Sequence, residues 1–461
     1  MQILTGCHTR KDAFGIPIQQ IISFAPGRVN LIGEHTDYNG GMVMPAALPL
    51  GIQSRLSVML SANPGIQVAS SSSAETIYFG EDEISPIAAS VMESGVEQSG
   101  RVDVPELPST CWASYVVGCF VLCEATLRSR GIVQMPWSGR SLAITLESSL
   151  PQGAGLSSSA ALCVSIIGQL SVLAGAPFDA STIARLAMYV EHRFAGTKCG
   201  LMDQVAVLCS RPEQFTCIDF VEFPISGQFQ IQNTKTHRSF RDFHLCILNT
   251  GVSHSLAESA YNERRSSCHE ALLLLNAALD QDAHSLGELA RFPKFQSITS
   301  DEGYLEYLQS LLPPTERGGI LARRACHAMR ENARVVTAAQ ALLSGDTRAL
   351  DAAMRASHRS LDLLYEVTCP ELNLACRSME EVVGDLCARE GSNSDEFLIG
   401  PRMTGGGFGG STIQLVHKVI CDRLVEQFSS SDNPYTRATG IVPEIVIAQP
   451  SGGFSLGFEA V

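Results

Sequence analysis

The stretch "SLAITLESSLPQGAGLSSSAALCVSIIGQLSVLAG", residues 141–175, joins three patterns without a break. Its first eight residues alternate apolar and polar side chains, which predicts a half-buried strand. A glycine- and serine-rich segment follows at 151–160, and the remaining residues are apolar on most faces, which predicts a buried helix. Where a glycine loop leads from a strand into a helix, free backbone N–H groups and the positive end of the helix dipole favour an anion.

The glycine loop is neither of two common phosphate-binding motifs. The chain contains no Gly-Lys dipeptide, so the loop is not a Walker A motif, and Ser158 stands where a dinucleotide fingerprint would need its third glycine. Ser157, Ser158 and Ser159 add hydroxyl donors or a metal ligand, or they only cap a tight turn. A second glycine segment, "MTGGGFGGST" at 403–412, leads into a strand-like run, so we expect it to pack close against another backbone.

The segment "EHRFAGTKCGLMDQ", residues 191–204, carries two carboxylates after a predicted helix for which Ser181 is the expected N-cap. Glu191 borders the apolar stripe of that helix, and a glutamate in such a place is more often an ion-pair partner than a metal ligand. Asp203 follows in an uncharged setting. Two carboxylates near a phosphate loop nevertheless suit the hard cation that accompanies nucleotide phosphates.

A third polar group, "GEHTDYNGG" at 33–41, places Glu34, His35 and Asp37 among turn-forming residues. A solvated turn is one interpretation. The apolar segments on both sides favour another, because unpaired charge at the edge of a core is costly. We therefore expect these side chains to line a pocket.

Composition limits the class of protein. A chain of 461 residues is long enough for two domains, and 45% hydrophobic with 17% charged residues describes a globular protein. The net charge of -14 disfavours a nucleic-acid or acidic-membrane partner, which favours a small substrate. The start lacks the apolar core of a secretory signal, no apolar run reaches about 18 residues, and the cysteines are dispersed singly. These features predict a cytoplasmic protein with reduced thiols.

Outside these motifs the pattern is less regular. We expect strands over 21–60, an elaborated surface region over 61–110, and an apolar helix that ends at Gly131. The second half predicts helices near 255–290 and 320–365 and strands near 409–417 and 443–450. The segments 283–320 and 388–400 are expected to be loops or insertions.

Four motifs in order resemble those of the GHMP kinases and, within them, the galactokinase family. They are "APGRVNLIGEHTDYNGG" at 25–41, "GAGLSSSA" at 153–160, "EHRFAGTKCGLMDQ" and "MTGGGFGG". With further matching segments they cover most of residues 21–450. The resemblance implies an α+β, two-domain GHMP kinase fold with the active site in the cleft. Residues 20–225 would form a ribosomal-protein-S5-domain-2-like domain, and residues 226–461 a ferredoxin-like domain.

The resemblance also implies an activity, ATP-dependent phosphorylation of the C1 hydroxyl of galactose by a monomer. Asp203 would be the base, Arg28 would stabilise the transferring phosphoryl group, and both would touch the sugar. The other implied sugar-binding residues are Glu34, His35, Asp37, Gly200 and Tyr261. The implied ATP-binding residues are Gly153, Ala154, Gly155, Leu156, Ser157, Ser158 and Ser159, and Mg²⁺ would be held by Ser159 and Glu191.

Two other functions remain open. One is a sister sugar 1-kinase that acts on N-acetylgalactosamine, arabinose or a uronic acid. The chain departs from the family pattern near the nucleotide and sugar walls, for example at Phe220 and Val221, and it is longer near 270–320. The other is a non-catalytic sensor of ATP and galactose. Sensors that resemble galactokinases lack a Ser-Ala pair in the ATP loop, whereas Ser159 and Ala160 are present here.

Overall fold

The structure is a computed structural model that describes residues 2–3, 20–59, 64–71, 76–97, 101–102, 112–132, 134–253, 257–389 and 391–459. The expectation about a secretory signal concerns mainly residues outside these ranges, and so does part of the predicted surface region 61–110. Of the helices in the described ranges, none is both long and apolar enough to cross a membrane.

The described strands form three sheets. The first has seven strands in the order β1-β14-β2-β4-β7-β5-β6, the second four in the order β11-β12-β10-β13, and the third three in the order β3-β8-β9. In chain order the strands are β1 (Gln2–Ile3), β2 (Gln20–Asn30), β3 (Met42–Val43), β4 (Pro45–Met59), β5 (Gly65–Ser70), β6 (Thr76–Gly80), β7 (Ser141–Ser148), β8 (Gln214–Asp219), β9 (Gln230–Lys235), β10 (Phe243–Ser253), β11 (Leu398–Thr404), β12 (Gly409–His417), β13 (Glu444–Ala448) and β14 (Ser455–Glu459).

The described helices cover one face of the first sheet and surround the second. They are α1 (Glu81–Ser94), α2 (Trp112–Ser129), α3 (Ser158–Leu173), α4 (Ala180–Val190), α5 (Met202–Cys209), α6 (Phe223–Ser226), α7 (Ala257–Leu279), α8 (Leu286–Leu289), α9 (Pro293–Gln296), α10 (Asp301–Leu311), α11 (Glu316–Ser344), α12 (Thr347–Ser360), α13 (Pro370–Ala388), α14 (Cys421–Ser429) and α15 (Pro434–Thr439). Single π-helical turns extend α4 and α12 over Glu191–Ala195 and Leu361–Tyr365.

The strand, loop and helix predicted over 141–175 are confirmed. In β7 the apolar members of the alternation, Leu142, Ile144 and Leu146, are buried. The following helix, α3, is buried along most of its length and packs against β2 and β4 of the first sheet and against α2, α4 and α5. Its buried amide, Gln169, donates to the carbonyls of Ile21 (2.9 Å) and Ser54 (3.0 Å), so no amide donor is left unpaired. The helix that begins at the glycine loop is therefore fixed on the sheet.

The last strand returns to the first sheet. β14 pairs antiparallel with β2 and parallel with β1. One continuous buried cluster also joins residues of the first sheet to Met354 on α12 and to Ile399 and Leu415 in the second sheet. The division of the chain at residues 225 and 226 stays a prediction.

Three local predictions need correction. Asp179, not Ser181, is the N-cap of α4, because its carboxylate accepts the Thr182 N–H at 2.7 Å. Segment 283–320 is not a loop but holds α8, α9, α10 and the start of α11, and 388–400 includes the start of β11. Hydroxyl caps at Ser285, Ser300 and Thr315 begin α8, α10 and α11, since each accepts a backbone N–H from the first turn, whereas α9 begins with a proline at its first position. The 61–110 region, where described, contains β5, β6 and α1.

Candidate active site

A cavity of about 530 Å³ brings the four motifs together. It is bordered by the loop after β2, the glycine loop before α3, the segment before α5, and the glycine segment between β11 and β12. All residues to which the resemblance gives a role line it: Arg28, Glu34, His35, Asp37, Gly153, Ala154, Gly155, Leu156, Ser157, Ser158, Ser159, Glu191, Gly200, Asp203 and Tyr261. The structure thus groups these side chains; their individual roles stay predictions.

Arg28 lies at an irregularity in β2. The pairing of β2 with β4 shifts register between Pro26 and Arg28, and such a bulge re-aims the side chain that follows it. A Cβ on Gly27 would press against the Leu150 side chain and the Leu156 carbonyl, so a glycine is needed for this close approach. The Arg28 N–H donates to that same carbonyl at 3.1 Å. The arginine is therefore anchored directly on the glycine loop.

The Arg28 guanidinium holds Asp203 in a two-pronged ion pair. Its Nε and Nη2 donate to the two carboxylate oxygens at 2.7 Å each, and its Nη1 donates to the Gly155 carbonyl at 2.7 Å. The Ser157 hydroxyl donates to Asp203 Oδ2 at 2.6 Å. The Asp203 side chain keeps 25% of its surface exposed, so it remains reachable from the cavity. Parallel charge-assisted bonds of this kind fix the carboxylate in orientation as well as position.

The glycine loop presents the start of α3 to the cavity. Gly153 and Gly155 adopt left-handed backbone with φ 69° and 71°, and a Cβ at either would meet open space. Glycine is thus required at both positions for its backbone conformation, since residues with a side chain rarely adopt such φ values. Ser157 occupies the N-cap position but makes no side-chain cap bond. First-turn N–H groups of α3 are therefore free of that cap, and N–H groups at a helix N-terminus favour an anion.

The second glycine segment packs against the first loop, as we expect from the sequence. A Cβ on Gly405 would lie 3.2 Å from the Gly155 carbonyl oxygen, and one on Gly410 would lie 3.5 Å from that of Ala154. The Ser411 hydroxyl donates to the Ala154 carbonyl at 2.7 Å. The two halves of the chain therefore meet backbone to backbone at the phosphate loop.

Glu191 starts the π-helical turn that ends α4. Its Oε1 accepts from Gln204 at 2.8 Å and its Oε2 accepts from the Ser159 hydroxyl at 3.3 Å. Burial, reinforced by the Asp203 charge, raises the pKa of Glu191 to about 7. No basic side chain among the described residues forms an ion pair with it. A buried carboxylate that accepts only from neutral donors is poorly stabilised in its ionised form, and a nearby cation would stabilise it.

Glu34 is tied to the second half of the chain. Its carboxylate forms a fully buried ion pair with Arg402 of β11, and its Oε1 accepts the Gly405 N–H at 3.3 Å. Burial raises the pKa of Glu34 and the Arg402 charge opposes that rise. The glutamate is consequently a rigid acceptor at the cavity wall.

His35 and Asp37 complete this wall. His35 has left-handed backbone, φ 62°, and its Nδ1 lies 2.7 Å from the Tyr38 hydroxyl. Burial lowers the pKa of His35 to about 3, so the imidazole is neutral at physiological pH. Burial, with the Asp203 charge second, raises the pKa of Asp37 to about 6, while the Met202 N–H, 3.1 Å away, favours the ionised form. A Cβ on Gly200 would overlap the Asp37 carboxylate, which explains the glycine there.

Comparison with known proteins decides the family. The family description "Galactokinase galactose-binding signature" matches residues 11–54, and "GHMP kinases N terminal domain" matches residues 114–211. A galactokinase of Staphylococcus carnosus is 32% identical over 92% of both chains, and one of Bacillus subtilis is 30% identical over 93% of both. The chain belongs to the galactokinase family.

Solved structures agree with this family and fix the fold. A Lactococcus lactis galactokinase complexed with galactose superposes with a TM-score of 0.72 at 26% identity and covers 94% of each chain. A mevalonate kinase of L. major, at 16% identity and a TM-score of 0.53, shares the fold. The predicted α+β, two-domain GHMP kinase fold is therefore confirmed, and this galactokinase-family chain is a sugar kinase whose phosphoryl donor is ATP.

Sequence reasoning missed an aromatic group beside the galactokinase-family motifs. The Tyr38 hydroxyl lies 2.9 Å from that of Tyr365, and His35 stacks in a tilted arrangement on Tyr365 and Tyr261, with ring centroids 4.8 and 5.3 Å away. His327 packs on the far face of this group, 4.6 Å from Tyr365. Tyr365 ends the π-helical turn after α12, in the segment "SHRSLDLLYEVTCPEL" at 357–372. The sequence offered one signal for this group, an aromatic residue within a polar segment that is predicted to be helical.

Proposed function

We propose that this chain transfers the γ-phosphoryl group of ATP to the C1 hydroxyl of galactose, giving galactose 1-phosphate and ADP. The C1 oxygen forms a bond to the γ-phosphorus while the bond from that phosphorus to the oxygen bridging to the β-phosphate breaks. Asp203 takes the proton that the C1 hydroxyl loses. Membership of the galactokinase family supports the reaction and the substrates.

The observation that carries the assignment is the position of Arg28. Its guanidinium binds the glycine-loop carbonyl of Gly155 and both oxygens of Asp203 at once. A donor nucleotide on the loop and an acceptor hydroxyl at Asp203 would therefore meet at one fixed cation. Phosphoryl transfer depends mainly on positioning and on neutralising charge, so this arrangement supplies what the reaction needs.

We also propose that Ser159 and Glu191 hold Mg²⁺. The donors, a hydroxyl and a carboxylate 3.3 Å apart, are the hard oxygen ligands that this ion prefers. The raised pKa of Glu191, about 7, shows a carboxylate that lacks a cationic partner. Bound Mg²⁺ would neutralise phosphate charge. With no lysine in the loop, backbone dipoles and Arg28 carry the rest of that neutralisation.

The sugar wall is proposed to distinguish hydroxyl orientation. Glu34 and Asp37 are acceptors whose positions are fixed by Arg402 and by the Met202 N–H. Charged acceptors make the stronger hydrogen bonds, and a sugar that lacks the matching hydroxyl leaves one unpaired at high cost. His35, Gly200 and Tyr261 line the same wall. We further propose that the active unit is a monomer in the cytoplasm; one chain supplies every residue assigned here.

The test is a coupled ATP-to-ADP assay with a panel of galactose, N-acetylgalactosamine, arabinose and galacturonic acid. Galactose is expected to give the highest kcat/KM. Asp203→Asn keeps the shape but cannot accept the proton, so kcat should fall by roughly 10² to 10⁴ while sugar and ATP affinity change little. Asp282→Asn, an exposed aspartate, is the matched control. If another sugar gave the highest kcat/KM, that sugar would replace galactose as the assigned substrate. If Asp203→Asn kept more than about a tenth of normal turnover, Asp203 would not be the base.

A further inference from the structure

A second cavity, of about 740 Å³, lies outside the catalytic pocket. It separates the starts of β8 and β10 and is bordered by the 236–241 turn, by Leu415 of β12 and by Pro450. β10 begins at this groove with Phe243 and reaches Asn249, which pairs with Ser411 beside the phosphate loop. Six residues of strand span roughly 20 Å. The groove and the catalytic pocket therefore lie at opposite ends of the same strands.

The wall of the groove is a fixed turn that carries two arginines. The His237 N–H donates to the Leu342 carbonyl at 2.8 Å, which ties the turn to the end of α11. Within the turn the Arg241 N–H donates to the Arg238 carbonyl at 3.1 Å. Side chains three residues apart in a 3₁₀ turn eclipse each other, so Arg238 and Arg241 project to the same side. Lys235, which ends β9, lines the same groove.

The three cations of this groove form no ion pair within the described ranges, and Asp242, which follows Arg241, is paired with Lys418 instead. Lys235, Arg238 and Arg241 are exposed, and no carboxylate within the described ranges forms an ion pair with any of them. Elsewhere many arginines of this acidic chain form ion pairs, as Arg28 does with Asp203. Of the residues that line the groove, Glu213 alone is acidic. The groove therefore carries an excess of positive charge in a protein whose net charge is -14.

The floor of the groove is apolar. Phe215, Phe240, Leu245 and Leu415 line it and are buried beneath the cations. Phe243 is half-buried, with its ring edge-on to His417 at 5.4 Å between centroids. A cavity of this size with an apolar floor and a few charged groups has the composition of a small-molecule site. The planar guanidinium of arginine can donate two parallel hydrogen bonds to a phosphate, whereas the ammonium of lysine acts as a point charge.

We propose that this groove binds a phosphorylated small organic molecule. The phosphate lies among Lys235, Arg238 and Arg241, and the organic body covers the apolar floor. The ligand is a nucleotide or a sugar phosphate, which share this chemistry. Because the groove touches both the third sheet and the second, its occupant bridges the two halves of the chain at the end remote from the catalytic pocket.

The test is calorimetric titration of the full chain with AMP, with glucose 6-phosphate and with inorganic phosphate. Arg238→Glu/Arg241→Glu reverses the charge of the turn. Arg359→Glu/Arg377→Glu makes the same change on exposed positions of α12 and α13 and serves as the control. The groove variant should bind AMP or glucose 6-phosphate at least about tenfold more weakly than wild type and the control, since hydrogen bonds to charged groups are the stronger kind. AMP bound at the catalytic loop is retained by all three proteins.

Each outcome decides the proposal. Loss of one binding event per chain in the groove variant alone supports it, and the probe that loses more identifies the nucleotide or the sugar phosphate as the source. The proposal is overturned if neither organic probe shows a binding event that the groove variant loses and the control keeps. It is also overturned if inorganic phosphate binds as tightly as the organic probes, because the apolar floor then has no role. Thermal unfolding with unchanged Tm confirms that the variants are folded.

Discussion

At the scale of single residues, Glu191 shows how a binding site costs stability. Its pKa of about 7 lies above the ordinary value of 4.5 because the carboxylate is buried and faces the Asp203 charge. The folded chain therefore holds this proton at pH values where the unfolded chain has released it. As pH rises from about 4.5 to 7, this group makes the free energy of unfolding smaller, because the folded state binds more protons. The ionised carboxylate destabilises the protein, and the proposed Mg²⁺ would offset that cost.

Glu191→Gln should therefore stabilise the protein and impair its activity. The amide keeps the shape without the charge, so at about pH 8 the free energy of unfolding should rise by about 1–3 kcal/mol. Near pH 4.5 the difference should vanish, because wild-type Glu191 is then protonated as well. Denaturant unfolding at both pH values measures this, and Mg²⁺-dependent turnover should fall far more than sugar binding. A stability gain that is equal at both pH values would contradict the raised pKa.

The residues of the site differ in how far the sequence predicts them. Arg28, Asp203 and the glycine loop are far apart in the sequence, and the resemblance of their motifs to those of the family is what groups them. Arg402 was not predicted to contact Glu34, because its burial depends on which strand lies beside the end of β2, and that is decided by long-range pairing. Tyr365 was missed for a similar reason: a π-helical turn sets its direction, and no local pattern predicted that turn.

At the scale of elements, two helices use the same device. α4 and α12 each end in a π-helical turn. The first turn places Glu191 at the cavity, and the second places Tyr365 behind the cavity wall. A π-helical turn adds a residue to the helix repeat and so re-aims the side chains that follow, which is why such turns occur often at functional sites. Long apolar elements such as α3 follow from the apolar pattern alone, whereas α8 and α10 begin at serine caps that were not recognised.

The segment before α5 gives a prediction at this scale. Gly200→Ala places a methyl group against the Asp37 carboxylate, so Asp37 or the segment must move. Overpacking of this size costs about 1–3 kcal/mol; the same free energy lost from galactose binding raises the galactose KM by roughly 5- to 150-fold. Steady-state kinetics with varied galactose measures it, and the KM for ATP should change much less.

The control is Gly384→Ala, the same substitution within α13, where a Cβ meets open space. It should leave both KM values unchanged and raise stability by about 0.5–1 kcal/mol, since alanine is the better helix former. If Gly200→Ala left both KM values unchanged, as expected for Gly384→Ala, the close contact between Gly200 and Asp37 would not matter for galactose binding.

At the scale of the whole molecule, Arg402 joins the two halves of the chain. Besides its ion pair with Glu34, it donates to the carbonyls of Asn30 (3.2 Å) and Leu31 (2.9 Å) at the end of β2. Thr404 adds a reciprocal pair of bonds to the Asn30 backbone at 3.1 Å each. β11 of the second sheet is thereby fixed to the sugar wall that follows β2.

Removing one partner of this ion pair should be worse than removing both. Arg402→Met leaves Glu34 buried and unpaired, which should cost about 3–5 kcal/mol of the free energy of unfolding. Adding Glu34→Gln should restore at least half of that loss, because no charge is then stranded, while galactose affinity stays low. Thermal and denaturant unfolding of both variants measure this. If the double variant were as unstable as the single one, the lost stability would instead come from the hydrogen bonds of Arg402 to the Asn30 and Leu31 carbonyls.

The return of β14 to the first sheet bears on how this protein is made. The strand that lies between β1 and β2 is formed by residues 455–459. During synthesis β2 therefore leaves the ribosome with one edge unpaired, and that edge stays open until residues 455–459 have emerged. An open strand edge is a template for pairing with other chains. Nascent chains stalled before residue 455 should consequently aggregate more readily than those that have passed it.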